Sequence, residues 1–235
     1  MNEIIKNNRI TAIVFRGVAI ILCLFGLLDG MGLFSGGTNA TALLYYTNQS
    51  NILVLGMFIV LIIFSLKDVT KNGIKGSSSY CERATGIIML TISVTMIIFW
   101  LVLAPVMIAG GMGTSYMLSF ANLQLHLITP LLIIIDYFVF EKPGMMKKQD
   151  PWYFAAIPLL YLIQATILGF SGVVYSTLEN GEVQHFPYYF LDYNTLGWKV
   201  GVYIVVVLIF FVSLAYGLLF FDKKRAKAVA KKQMS

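Results

Sequence analysis

Asn122, His126, Thr129 and Asp136 fall 0, 4, 7 and 14 residues along one apolar stretch, and at about 100° per residue they share a single helix face. A histidine titrating near neutrality takes a proton from a hydroxyl nucleophile, and the partner it needs is a Ser, Thr or Cys within hydrogen-bond reach. The most polar apolar-flanked neighbourhood is Thr47-Asn48-Gln49-Ser50-Asn51, a polar run at the start of another apolar stretch. Helical spacing puts Thr47, Ser50 and Asn51 on one face and Gln49 nearly opposite. Thr47 and Ser50 are therefore candidate nucleophiles and His126 the candidate base. Asn48, Asn51 and Asn122 are candidate donors to a developing oxyanion. The same side chains also suit interhelical hydrogen bonding without chemistry. Pro130, four residues after His126, deprives the His126 carbonyl of its helical amide and predicts a bend there.

The elements that must position these groups are apolar helices. With 58% hydrophobic and 12% charged residues and a mean hydropathy of +0.80, the 235-residue chain reads as one all-α polytopic membrane domain. Runs near the roughly 20 residues a span requires lie at about 10–28, 42–66, 84–107, 116–140, 152–171 and 196–221. Of the 17 Lys and Arg, 15 sit before the first run, in the second and fourth connections and in the basic segment 222–235, whereas connections 29–41, 108–115 and 172–195 hold none. The positive-inside rule then places both termini and the basic tail in the cytoplasm. The first run has a basic flank and no small-residue cleavage site, so it reads as a retained signal anchor.

The net charge of +6 is topology plus attraction to anionic membrane lipids, and no nucleic-acid module is visible. Cys23 and Cys81 fall in a span and on the cytoplasmic side, which disfavours a disulfide. His126 and His185 are the two histidines, without paired Cys or an H-E-x-x-H motif, so neither a metal nor a cofactor is implied. Arg16, about two turns into the first span, either snorkels to the headgroups or pairs with Asp136 at similar depth in the fourth. Thr91, Thr95, Trp100 and Pro105 read as packing and a kink, Tyr161 and Gln164 as a modest polar lining. The aromatic run His185 to Asp192 suits either a membrane interface or a cap over a cavity. A polar pocket lined by helices two and four is expected in the outer half of the bundle.

Three motifs together, Thr47 with its polar run, Asn122-x-x-x-His126-x-x-x-Pro130, and Phe186-Pro187-Tyr188-x-Phe190-Leu191-Asp192, resemble the androgen-induced protein family, and its bacterial branch most closely. Animal members are six-helix membrane hydrolases of fatty acid esters of hydroxy fatty acids. The resemblance implies Thr47 as nucleophile and His126 as base, with Asn122 and Asp192 at further recurrent positions. It also implies a lipid or fatty acid ester as substrate and a bacterial plasma membrane as the location; protein partners are not indicated. One tension stands against it. At 1.5 Å per residue the expected helix starts put Thr47 roughly 7 Å and His126 roughly 15 Å below the outer boundary. A small transporter or lipid-binding protein, and a non-catalytic scaffold, remain open as alternative readings of the same stripe.

Overall fold

A computed structural model describes residues 8–34, 36–111, 113–177 and 181–234, the last three as backbone only. Its framework is six long helices, α1 (Arg9–Gly30), α2 (Tyr46–Asn72), α3 (Glu82–Ala109), α4 (Phe120–Val139), α5 (Asp150–Phe170) and α6 (Lys199–Met234). All six are long and apolar enough to cross a membrane. Short helical turns and one two-stranded hairpin, Ser176–Thr177 with Val183–Gln184, complete the all-α fold.

Packing follows from how each helix distributes its apolar residues. In α3 every residue from Met89 to Thr95 is buried, and a helix buried on all faces must be central. It packs against α2, α4, α5 and α6, while α1 lies along α2 and α4. The peripheral helices turn large apolar side chains outward instead: Val14, Ile21 and Phe25 on α1, Leu160, Ile163 and Ile167 on α5, Val205, Val206 and Ile209 on α6. Close approach of α1 to α4 depends on Gly26, where a β-carbon would collide with the Gln124 side chain.

Helix boundaries differ from those the sequence suggests, each for a local reason. Ala40–Leu44 forms a 3-10 turn capped by Asn39, and Tyr45 is extended, so α2 begins at Tyr46. Ser119 caps the start of α4 at Phe120 by accepting from the Asn122 amide. The basic segment after Phe221 is no separate tail, because α6 runs on through it to Met234. Its Lys, Ala and Arg residues are good helix formers with no Gly or Pro among them. Asp222 anchors it, accepting from the Tyr137 hydroxyl at 3.1 Å and from the amides of Gly144 and Met146.

The other ends are tied by polar contacts. Asn8 caps α1, and Arg9 reaches Asp68 at 2.6 Å and the carbonyls of Gly73 and Lys75 beyond α2. At the opposite end of the bundle the described part of the connection between α5 and α6, residues 171–177 and 181–198, folds back as a cap. Its hairpin is followed by Phe186, which packs where Gly169 leaves no room for a β-carbon, and by a 3-10 turn at Tyr189–Leu191.

Candidate functional site

Two helical irregularities build the site. In α3 the turn Phe99–Leu103, and in α4 the turn Gln124–Ile128, are π-helical, each closed by an i→i+5 bond (Ala104 N–H to Phe99 O, Thr129 N–H to Gln124 O). Each lies just before a proline, Pro105 and Pro130, whose missing N–H and ring bulk deny the normal i→i+4 bond. Such π turns inside helices recur at functional sites. Here they face one another. Trp100 Nε1 donates to the His126 carbonyl at 3.0 Å, filling the acceptor that Pro130 leaves open. The Phe99 ring stacks on the imidazole with centroids 3.7 Å apart.

His126 is oriented from both ends. Its Nδ1 lies 3.1 Å from the Asn122 carbonyl oxygen, which only accepts, so Nδ1 carries the proton of the neutral ring. The other nitrogen, Nε2, is then an acceptor, and it lies 3.3 Å from Thr47 Oγ1. Thr47 is thus placed to donate its hydroxyl proton to His126, the arrangement general-base activation of a nucleophile requires.

The depth mismatch disappears for an unexpected reason. Both α2 and α4 start four residues later than the sequence suggests, so the corrections cancel; instead the first turn of α2 stands level with the second turn of α4. Asn51 holds that stagger, its Nδ2 donating to Leu125 O of α4 at 3.1 Å and to Thr47 O at 2.8 Å. Ser50 donates to the Thr47 carbonyl at 2.9 Å and pairs with Thr95 on α3 at 2.8 Å, so it is a brace and not a free nucleophile. Gln49 does point the other way, to Gln164 on α5 at 3.3 Å.

The asparagines are engaged elsewhere. Asn48 Nδ2 donates to Ala42 O at 2.7 Å and Asn122 Nδ2 to Met117 O at 2.8 Å. With Asn51 braced as above, the amide donors of all three serve backbone carbonyls. Their free buried atoms at Asn48 and Asn51 are Oδ1 acceptors, the wrong polarity for an oxyanion. Asp192 also stands apart: it caps Tyr193–Leu196, accepting from the Asn194 and Thr195 amides and the Thr195 hydroxyl.

A cavity of about 60 Å³ opens beside Thr47. It is lined by Tyr46 and Thr47 of α2, Val94 to Leu103 of α3, Pro158 to Leu162 of α5, Val207 and Phe211 of α6, and Tyr188 to Leu191 of the cap. This corrects the expected pocket between helices two and four, since no α4 residue is in its wall. The π turn breaks the register of the polar stripe: His126 meets α2 and α3, whereas Thr129 meets Cys23 and Asp136 meets Arg16, both on α1. Thr47 accordingly lies in the cavity wall, and His126, 3.3 Å from it, does not. Sequence reasoning gave Trp100 and Phe99 no site role and left Tyr188 in an ambiguous aromatic run. The orphan His126 carbonyl is the one signal that asks for a donor such as the Trp100 indole.

A second buried polar cluster occupies the termini end. Arg16 is fully buried and forks onto Asp136 (Nε to Oδ1 2.7 Å, NH2 to Oδ2 3.2 Å), with Ser65 Oγ at 2.9 Å and Glu141 at 3.6 Å. Glu141 is 2% exposed; burial and then the Asp136 carboxylate push its pKa up to about 7. Hydrogen-bond counting agrees. Ser79 Oγ is 2.7 Å from Glu82 and 2.8 Å from Glu141 while accepting from the Lys142 amide. One hydroxyl has one proton to give, so one of those carboxyls must itself donate, and Glu141 is the buried one. Among the described residues, no three His, Cys, Asp or Glu side chains are grouped as a metal set. Compared with known proteins, the chain matches no family model, no curated protein and no solved structure.

Proposed function

We propose that the protein is an intramembrane hydrolase of lipid-like esters, with Thr47 as nucleophile and His126 as its base. The observation that carries this reading is the Thr47–His126 contact of 3.3 Å together with the Nδ1 bond to the Asn122 carbonyl. Thr47 Oγ1 attacks the acyl carbon as its proton passes to Nε2, and the carbonyl π pair moves onto oxygen. Collapse breaks the bond to the alcohol oxygen, which takes the proton from Nε2 and leaves. Water then attacks the threonyl ester, giving one proton to Nε2; Thr47 Oγ1 departs, recovers that proton, and the carboxylic acid is released. No step asks for a metal or cofactor.

The apolar walls Val94, Ile98, Leu103, Leu162 and Phe211 suit an acyl chain. The cap residues Tyr188, Phe190 and Leu191 form part of the same wall. The outward apolar faces and the distribution of Lys and Arg support a multi-pass membrane protein, both termini cytoplasmic and the Thr47 site near the outer leaflet; that the membrane is a bacterial cell membrane rests on the motif resemblance alone. Kinship with the androgen-induced protein family is part of this proposal, resting on the motif order. The transporter alternative draws less support, because His126, Thr129 and Asp136 of α4 each meet a different neighbour, Thr47, Cys23 and Arg16, and form no continuous path.

The test is turnover of a series of long-chain fatty acid esters by purified protein in detergent. Hydrolysis by wild type, abolished in Thr47→Val and His126→Ala proteins of unchanged thermal midpoint, is expected. Activity surviving Thr47→Val would remove the nucleophile assignment.

A further inference from the structure

Every acyl transfer through a tetrahedral intermediate needs donors aimed at the oxygen that gains charge, and the three asparagines beside Thr47 do not supply them. The first intrahelical bond of α2 runs from the Gln49 amide to Tyr45 O at 3.1 Å. Ahead of it the amides of Tyr46, Thr47 and Asn48 lack intrahelical partners, and Tyr45 contributes no side-chain cap bond. A 27-residue helix therefore brings the positive end of its dipole, and N–H groups with no carbonyl partner, to Thr47 itself.

A second feature points into the same space. Tyr161 of α5 is only 6% exposed, lines the cavity, and its hydroxyl has no hydrogen-bond partner. That hydroxyl faces the Tyr46 amide and the Tyr188 hydroxyl. Tyr188 in turn faces the Thr47 hydroxyl and the amides of Tyr46 and Thr47. Both phenol oxygens thus stand over the amides of a helix N-terminus, and an anion entering there would find those amides and the phenol protons as donors. Asn48 Oδ1, which would repel an anion, faces Gly30 of α1 instead.

The geometry points to an anion-binding site made of the α2 N-terminus with the Tyr161 and Tyr188 hydroxyls, which takes a long-chain carboxylate and, during turnover, the oxyanion of the acyl intermediate. This deepens the proposed hydrolase, on which its catalytic half rests; the carboxylate half stands without it. Tyr188 belongs to the connection between α5 and α6, so that connection supplies part of the donor set. A carboxylate product held there competes with the next substrate.

The test uses full-length protein in detergent, oleate as probe and oleyl alcohol as its uncharged control. Tyr161→Phe, Tyr188→Phe and the double variant each remove only hydroxyls, and monodisperse elution with a thermal midpoint within a few degrees of wild type certifies folding. Calorimetric titration is expected to show oleate binding wild type at least about tenfold more tightly than the double variant, with oleyl alcohol indifferent to the substitutions. In the ester assay the double variant loses about 10²-fold or more in kcat, with KM little changed. Equal oleate affinity in wild type and double variant would overturn the site, as would oleyl alcohol binding as well as oleate. A wild type that binds oleate through the tyrosines yet hydrolyses no ester would sink the hydrolase and leave the anion site standing. Active wild type with an equally active double variant would remove the oxyanion role and leave the hydrolase standing.

Discussion

In the proposed reaction His126 accepts the Thr47 proton only while Nδ1 holds the other one, which the Asn122 carbonyl 3.1 Å away favours. Replacing His126 with Ala is therefore expected to lower kcat by about 10²- to 10⁴-fold, the usual contribution of a positioned base, while Thr47→Ser retains measurable turnover because the hydroxyl survives. Trp100 acts one step further out. Trp100→Phe leaves the His126 carbonyl unpaired beside Pro130, which is expected to cost about 1–3 kcal/mol and to lower kcat through a displaced imidazole. Thermal midpoints and steady-state kinetics on the same preparations check both. Unchanged stability and rate in Trp100→Phe would mean the indole bond does not hold the ring.

At the scale of elements, α1 and α4 are joined by an ion pair with no exposure on either side chain. Removing one partner strands the other, so Asp136→Ala is expected to destabilise by about 3–5 kcal/mol, and exchanging the two charges should recover much of the loss; thermal midpoints in detergent measure both. Glu141 adds a pH dependence. Its folded pKa of about 7 lies above its ordinary value of 4.5, so its contribution is complete below about pH 4.5 and is lost as pH rises through 7. The thermal midpoint of wild type is expected to fall over that window relative to Glu141→Gln, and parallel profiles would contradict it. The helices themselves were legible in the sequence because runs of apolar residues are long and charge-free. Their starts were not, since the 3-10 turn at Ala40–Leu44 is as apolar as the helix it precedes. Pro130 announced an irregularity without saying that a π turn would rotate His126 away from Thr129 and Asp136. The Thr47 and His126 pairing was legible as residue types in order; its phenolic neighbours were hidden because nothing local relates Tyr188 to a helix that begins 142 positions earlier.

At the scale of the whole molecule, the start of α1 and the end of α6 lie at the end that carries Arg16 and Glu141, and the Thr47 cavity lies toward the other. An impermeant maleimide is expected to label a cysteine placed at Ser171 in intact cells, and one placed at Asn72 only after lysis; the opposite pattern would invert the topology. The central claim is that this bundle exists to activate one hydroxyl. It is tested most directly by treating purified protein with a long-chain fluorophosphonate and mapping the adduct by mass spectrometry. The account predicts phosphonylation at Thr47 in wild type and its loss in His126→Ala. A folded wild type that takes no adduct, or an adduct that persists without His126, would contradict it.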